Sequence, residues 1–209
     1  MQRYVVAGIG TEIGKTVVSA ILCHALEADY WKPVQAGELD FSDSHKVQQW
    51  AGLRDAQIHP EAYALNQPMS PHAAAPLDGI EINMDHFQLP ESDRPLIVEL
   101  AGGIMVPLNE QHLNLHLLKQ LQLPVILVSR YYLGNINHSL LSAAILQQHG
   151  VPVKGWILNG DTVQPTKEAI LSFSGIPLLA EIPDTEEVDS HFVQSEAQRL
   201  RANLRQALL

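Results

Sequence analysis

Gly8-Ile9-Gly10-Thr11-Glu12-Ile13-Gly14-Lys15-Thr16 decides the fold. The run follows an apolar stretch, Tyr4-Val5-Val6-Ala7, and leads into an apolar helical stretch, so it occupies a strand–helix junction. Backbone N–H groups of such a turn, together with a helix N-terminus, make an anion site. Gly14 lets the backbone approach phosphates, Lys15 reaches the β and γ oxygens, and the Thr16 hydroxyl is placed for Mg²⁺. Five residues, not four, separate Gly8 from Gly14, so the loop departs from the generic G-x-x-x-x-G-K-[ST] pattern at its first glycine. A dinucleotide-binding turn is a poor match, because Ile13 stands where that fingerprint has its third glycine.

Outward from this loop, short apolar runs alternate with longer helical ones. Strands are expected over 4–7, 30–34, 96–99, 125–129, 153–158 and 177–180, and helices over 15–27, 44–51, 110–121, 136–149, 165–173 and 188–208. Several of the strand runs are almost continuous in Val, Ile and Leu, as strands buried on both faces require. The alternation predicts βαβ units in a doubly wound, mostly parallel α/β sheet of the P-loop NTPase type. Residues 35–94 are the least periodic and read as loops with a short helix or two at the strand ends, where ligands of an open α/β sheet bind.

The 209 residues, 46% of them apolar, suit one domain spanning 1–209. A balance of 13 Lys+Arg against 23 Asp+Glu, net −10, argues against nucleic-acid or anionic-membrane binding. The single Cys23 excludes an internal disulfide and reads as a small buried hydrophobe. No signal-peptide pattern precedes Tyr4, which points to a cytoplasmic protein. His112 and His116 stand four apart without a nearby third ligand, and the surrounding leucines make that segment a packing element.

Beyond the loop, four segments carry a family resemblance. Tyr30-Trp31-Lys32-Pro33-Val34-Gln35-Ala36-Gly37, Ser70-Pro71-His72, Val98-Glu99-Leu100-Ala101-Gly102-Gly103 with Val106-Pro107-Leu108, and Leu133-Gly134-Asn135-Ile136-Asn137-His138 resemble, in order and spacing, the motifs of dethiobiotin synthetases. The resemblance spans roughly residues 4–183. It implies ATP- and Mg²⁺-dependent closure of 7,8-diaminononanoate with CO₂, through a carbamate and a carbamic–phosphoric anhydride, in a homodimer.

The resemblance also implies roles for individual residues. Lys15, Lys32 and Thr11 would be catalytic. Glu12, Ile13, Gly14, Lys15, Thr16, Val17, Asn159 and Pro183 would bind the nucleotide, Asn159 and Pro183 at the adenine. Lys32, Ser70, Gly134 and Asn137 would bind the diamine, the last two from the partner subunit. Thr16, Asp43 and Glu99 would hold Mg²⁺, whose preference is for hard oxygen ligands. Structural readings stand beside some of these: Asp43 and Asn137 as helix caps, Ser70 as turn chemistry, and Glu12 as an exposed loop carboxylate. Three departures from the family pattern stand out: Gly10 for an acidic residue, Ala36 for Ser or Thr, and Leu100 for Gly. A different class, a nucleotide switch of the ParA/MinD type, predicts a basic docking patch. The Arg199–Arg205 tail is only mildly basic.

Overall fold

The computed structural model describes residues 2–209. Its elements, in chain order, are β1 (Arg3–Gly8), α1 (Lys15–Leu26), β2 (Asp29–Trp31), β3 (Val34–Ala36), α2 (Asp43–Ala51), β4 (Ile58–His59), β5 (Tyr63–Leu65), α3 (Pro71–Leu77), β6 (Leu96–Gly103), α4 (Asn114–Leu121), β7 (Val125–Arg130), α5 (Asn135–Gln148), β8 (Val153–Asn159), α6 (Gln164–Ser174), β9 (Leu178–Ile182) and α7 (Ser190–Leu208). The main sheet has seven strands in the order β4-β2-β6-β1-β7-β8-β9. All of its ladders are parallel.

Side chains alternate between the two faces of each strand, so one sheet supplies two cores. Tyr4 and Val6 of β1 join Ile97, Ile126 and Val128 under α1 and α7, through Val18, Ile21, Leu22, Leu200 and Leu204. Val5 and Ala7 face the other way, with Val98 and Leu127, against Leu115 and Leu118 of α4, Leu146 of α5 and Ile170 of α6. Central β1 is sandwiched between β6 and β7, which makes its C-terminal end the floor of a crevice where the phosphate loop begins.

The expected second strand, 30–34, divides at Pro33. Proline has no N–H for a ladder, and its carbonyl instead accepts the Tyr63 N–H at 3.1 Å. β3 thereby leaves the main sheet and pairs with β5 in a separate two-stranded parallel sheet. The region 35–94 is more ordered than its sequence suggests, because strands of two or three residues are too short to show a period. The expected helix 110–121 begins only at Asn114. Before it, Leu108 and His112 close a turn, 2.8 Å between N and O, next to a Pro107–Leu113 bridge. β6 continues to Gly103, so Glu99 lies mid-strand rather than at a strand end. Among the described residues no helix is long and apolar enough to cross a membrane.

Candidate active site

The phosphate loop is held by backbone demands that only glycine meets at Gly14. Its φ is +87°, and a Cβ there would stand 2.4 Å from Asn159 Nδ2. Asn159, at the end of β8, reaches across to donate from Nδ2 to the Ile13 carbonyl at 2.6 Å. The Asn159 Oδ1 is buried and without a partner among the described residues. The Lys15 ammonium curls back over the loop to donate to the Gly10 carbonyl at 2.8 Å. Burial is the main influence on this lysine, and the neighbouring Lys32 adds to it. Against the opposing pull of Glu99 and Asp43, its pKa is lowered to about 8.

Facing the loop is a cavity of about 640 Å³ whose walls include Thr11, Glu12, Gly14, Lys15, Thr16, Val17, Lys32, Asp43, Ser70 and Glu99. Residues scattered over nearly ninety positions of sequence meet here because β1, β2 and β6 are neighbours in the sheet. Glu99 is fully buried on the α1 side. Its Oε1 accepts from the Thr16 hydroxyl at 3.0 Å and from the Lys32 ammonium at 3.2 Å. Lys32 also forms an ion pair with Asp43. Burial alone would lower the Lys32 pKa, but Glu99 and Asp43 outweigh it and raise the value. The Asp43 carboxyl is held below its usual range: burial opposes ionisation, and Lys32 overcomes it, with help from Lys46 and Thr16.

Two carboxylates and a hydroxyl gathered around one ammonium are a hard-oxygen donor set, and this chemistry fits Mg²⁺. Thr16, Asp43 and Glu99 present those oxygens. Asp43 is the first helical residue of α2 and not its cap; Ser42 caps, reciprocally with His45. The Asp43 side chain is thereby free to turn toward Lys32.

Other candidate residues sit further off. Ile13 is buried in the core beneath the loop and offers only its carbonyl. Pro183 is exposed just beyond β9 and is not part of the cavity wall. Ser70 lines the cavity at the start of α3, with its hydroxyl 3.0 Å from His72 Nδ1. Gly134 and Asn137 do not reach the cavity of this single chain. Gly134, with φ +104°, is itself the N-cap of α5, so the helix starts one residue earlier than expected and Asn137 is no cap. Asn137 is exposed in the first turn. His112 and His116 pack edge to face, 5.7 Å between ring centroids, and belong to no metal-holding group among the described residues.

The three departures are structurally mild. A Cβ on Gly10 would meet nothing within 4 Å, Ala36 lines the cavity without a hydroxyl, and Leu100 fills the opposite core as an ordinary strand residue. Sequence reasoning missed Tyr30, whose hydroxyl donates to Glu99 Oε2 at 3.0 Å, and Gln35, Lys46 and Arg130, which line the cavity. Lys46 had a legible signal: three positions after Asp43 it shares that residue's helix face, and its ammonium is 3.5 Å from Asp43 Oδ1.

Comparison with known proteins agrees with this geometry. Residues 2–191 match the family model described as an AAA domain. An ATP-dependent dethiobiotin synthetase of Christiangramia forsetii is 46% identical over 203 residues, covering 97% of this chain and 98% of that protein. One from Cytophaga hutchinsonii is 44% identical over 97% of this chain and 98% of its own length. A bifunctional biotin biosynthesis protein of Bordetella avium, 43% identical, matches 93% of this chain within 42% of its own length. Among solved structures, the MinC:MinD cell division complex of Aquifex aeolicus superposes with a TM-score of 0.61 at 11% identity, over 99% of this chain and 95% of that one. The Pyrococcus furiosus cell division ATPase MinD gives 0.56 at 14%, covering 99% of both chains. At such identities these two likenesses speak for the P-loop NTPase fold alone. The sequence relatives go further, and together with the phosphate loop and the carboxylate–lysine cluster they show that the chain belongs to the ATP-dependent dethiobiotin synthetase family of enzymes.

Proposed function

We propose that this protein closes 7,8-diaminononanoate and CO₂ into dethiobiotin at the expense of ATP, in the cytoplasm. The observation that carries the reading is the convergence of Lys15, Lys32, Thr16, Asp43 and Glu99 on one cavity, in a chain 46% identical to a dethiobiotin synthetase. One substrate amine takes up CO₂ and releases a proton, giving a carbamate. A carbamate oxygen attacks the γ-phosphorus of ATP, and ADP leaves. The second amine attacks the anhydride carbon, phosphate departs, and the cyclic urea is complete. Neither the carbamate oxygen nor the amine needs a protein nucleophile, so catalysis is positioning and charge neutralisation.

Lys15 leaves the Gly10 carbonyl for the β and γ oxygens, and Lys32 faces the charge shared between carbamate and transferring phosphate. Thr11 and the loop N–H groups line the phosphate path, and Glu12 stands at its mouth. Asn159 offers its free Oδ1 to the adenine edge, an assignment its orphaned acceptor supports. Thr16, Asp43 and Glu99 would hold Mg²⁺, which would supply neutralisation of the phosphate charge. Ser70 borders the diamine.

The remote substrate carboxylate calls for an anion-binding feature away from the phosphates. Gly134 and Asn137, at the exposed start of α5, supply N–H groups and a favourable dipole, and we assign them to the partner's cavity in a homodimer.

Mass spectrometry of products from diaminononanoate, ATP, Mg²⁺ and bicarbonate tests the reading. Dethiobiotin is expected, and its absence sinks the assignment. Phosphate release should fall to background without diamine or CO₂; fast hydrolysis lacking both would favour a nucleotide switch.

A further inference from the structure

We infer that Tyr30 is a positioning residue of the catalytic centre: its hydroxyl fixes the Glu99 carboxylate so that a single oxygen, Oε1, serves the reacting side. The inference rests on the magnesium role proposed for Glu99.

The placement follows from the sheet. β2 and β6 run parallel with Tyr30 opposite Ile97. Glu99 is two residues beyond Ile97, on the same face and about 6.6 Å further along the strand, within reach of a tyrosine side chain leaning that way. Tyr30 is fully buried, and its hydroxyl donates to Glu99 Oε2 at 3.0 Å. Among the described residues it is the sole donor to that oxygen. The other oxygen meets Thr16 and Lys32, the groups of the cavity.

A carboxylate held at one oxygen cannot rotate its charge away from the site. Without the hydroxyl, Glu99 Oε2 would be buried and unsatisfied, and the carboxylate would turn to share both oxygens with Lys32 and Thr16. A tyrosine kept only to fill the α1-side core would do its work through the ring. Phenylalanine would then replace it without cost to the site.

Tyr30→Phe preserves every ring atom and removes only the hydrogen bond. Titration with Mn²⁺ in the presence of ATP, followed by electron paramagnetic resonance, should show five- to tenfold weaker ion binding, with kcat lowered and the diamine KM unchanged. Glu99→Gln and the double variant complete a cycle: if Tyr30 acts through Glu99, the second substitution adds little to the first. Unchanged Mn²⁺ affinity in Tyr30→Phe, whatever happens to its melting temperature, overturns the proposal, as do fully additive effects in the cycle. If Tyr30→Phe fails to fold, Tyr30→Met, a flexible gap-filler with no donor, must show the same loss of Mn²⁺ affinity. Failure of the wild type to bind Mn²⁺ with ATP is a different result, and it removes the metal role of Thr16, Asp43 and Glu99 itself.

Discussion

Replacing Lys32 by methionine removes one charge from a buried ionic group while keeping most of the apolar stem. Lys32 is 5% exposed and Glu99 is 0% exposed, so Glu99 cannot recover through water what the ammonium provided, while the half-buried Asp43 keeps only the Lys46 ammonium. Breaking a buried pair on one side costs ~3–5 kcal/mol, mainly from the charge left behind. At roughly 2–4 °C per kcal/mol for a chain of this size, the melting temperature should fall by about 6–20 °C. The pH dependence identifies the cause. Asp43 has a folded pKa below its unfolded value, so its pairing contributes stability above the unfolded range near ~3.9 and loses it as pH falls through the lowered value. In Lys32→Met burial acts without the ammonium, the Asp43 pKa moves upward, and a proton relieves the variant as pH drops. The gap between wild type and variant should therefore be wider at pH 7.5 than at pH 5, and Mg²⁺ should narrow it at pH 7.5 by taking over the neutralisation. Denaturant unfolding followed by circular dichroism at both pH values, with and without Mg²⁺, measures this. A gap below about 1 kcal/mol at pH 7.5, or one independent of pH, would refute the argument.

Other outcomes follow from the same geometry. Lys15, with a pKa of about 8, should take up a proton when ATP phosphates replace the Gly10 carbonyl, because added negative charge raises a lysine pKa. Calorimetry at pH 8–9 in buffers of different ionisation enthalpy should show uptake that Lys15→Met abolishes, and equal proton counts in both would contradict it. Lys15→Ala should keep its fold and lose turnover by orders of magnitude; near-wild-type rates would exclude its phosphate role. Gly14→Ala should weaken ATP binding by more than tenfold with modest loss of stability, since the strained φ and the Asn159 clash sit in a surface loop; equilibrium dialysis with ATP checks this. Asn137→Ala should raise the diamine KM about tenfold, the worth of ~1.4 kcal/mol, and leave the ATP KM unchanged. A change confined to thermal stability would remove Asn137 from the substrate site.

Local sequence determined what local physics governs. The phosphate loop was legible because Gly14, Lys15 and Thr16 act through backbone and side chains adjacent in the chain. The long strands and helices were legible because burial on two faces or one imposes a period over many residues. Pro33 was visible as well, yet its consequence, β3 leaving the main sheet for β5, depends on a partner thirty residues away. Tertiary structure alone decided the rest. Sequence placed Glu99 at a strand end, and only the pairing of β6 with β2 and β1 shows it buried mid-strand beneath Tyr30, Lys32 and Thr16. In sequence Asp43 reads as a metal ligand with a helix cap as the alternative, and in the structure Ser42 takes the cap. Tyr30 looks like any strand aromatic in a linear sequence. Its hydroxyl matters because parallel pairing sets it two residues short of Glu99 on a shared face, and register between distant strands is a property of the assembled sheet.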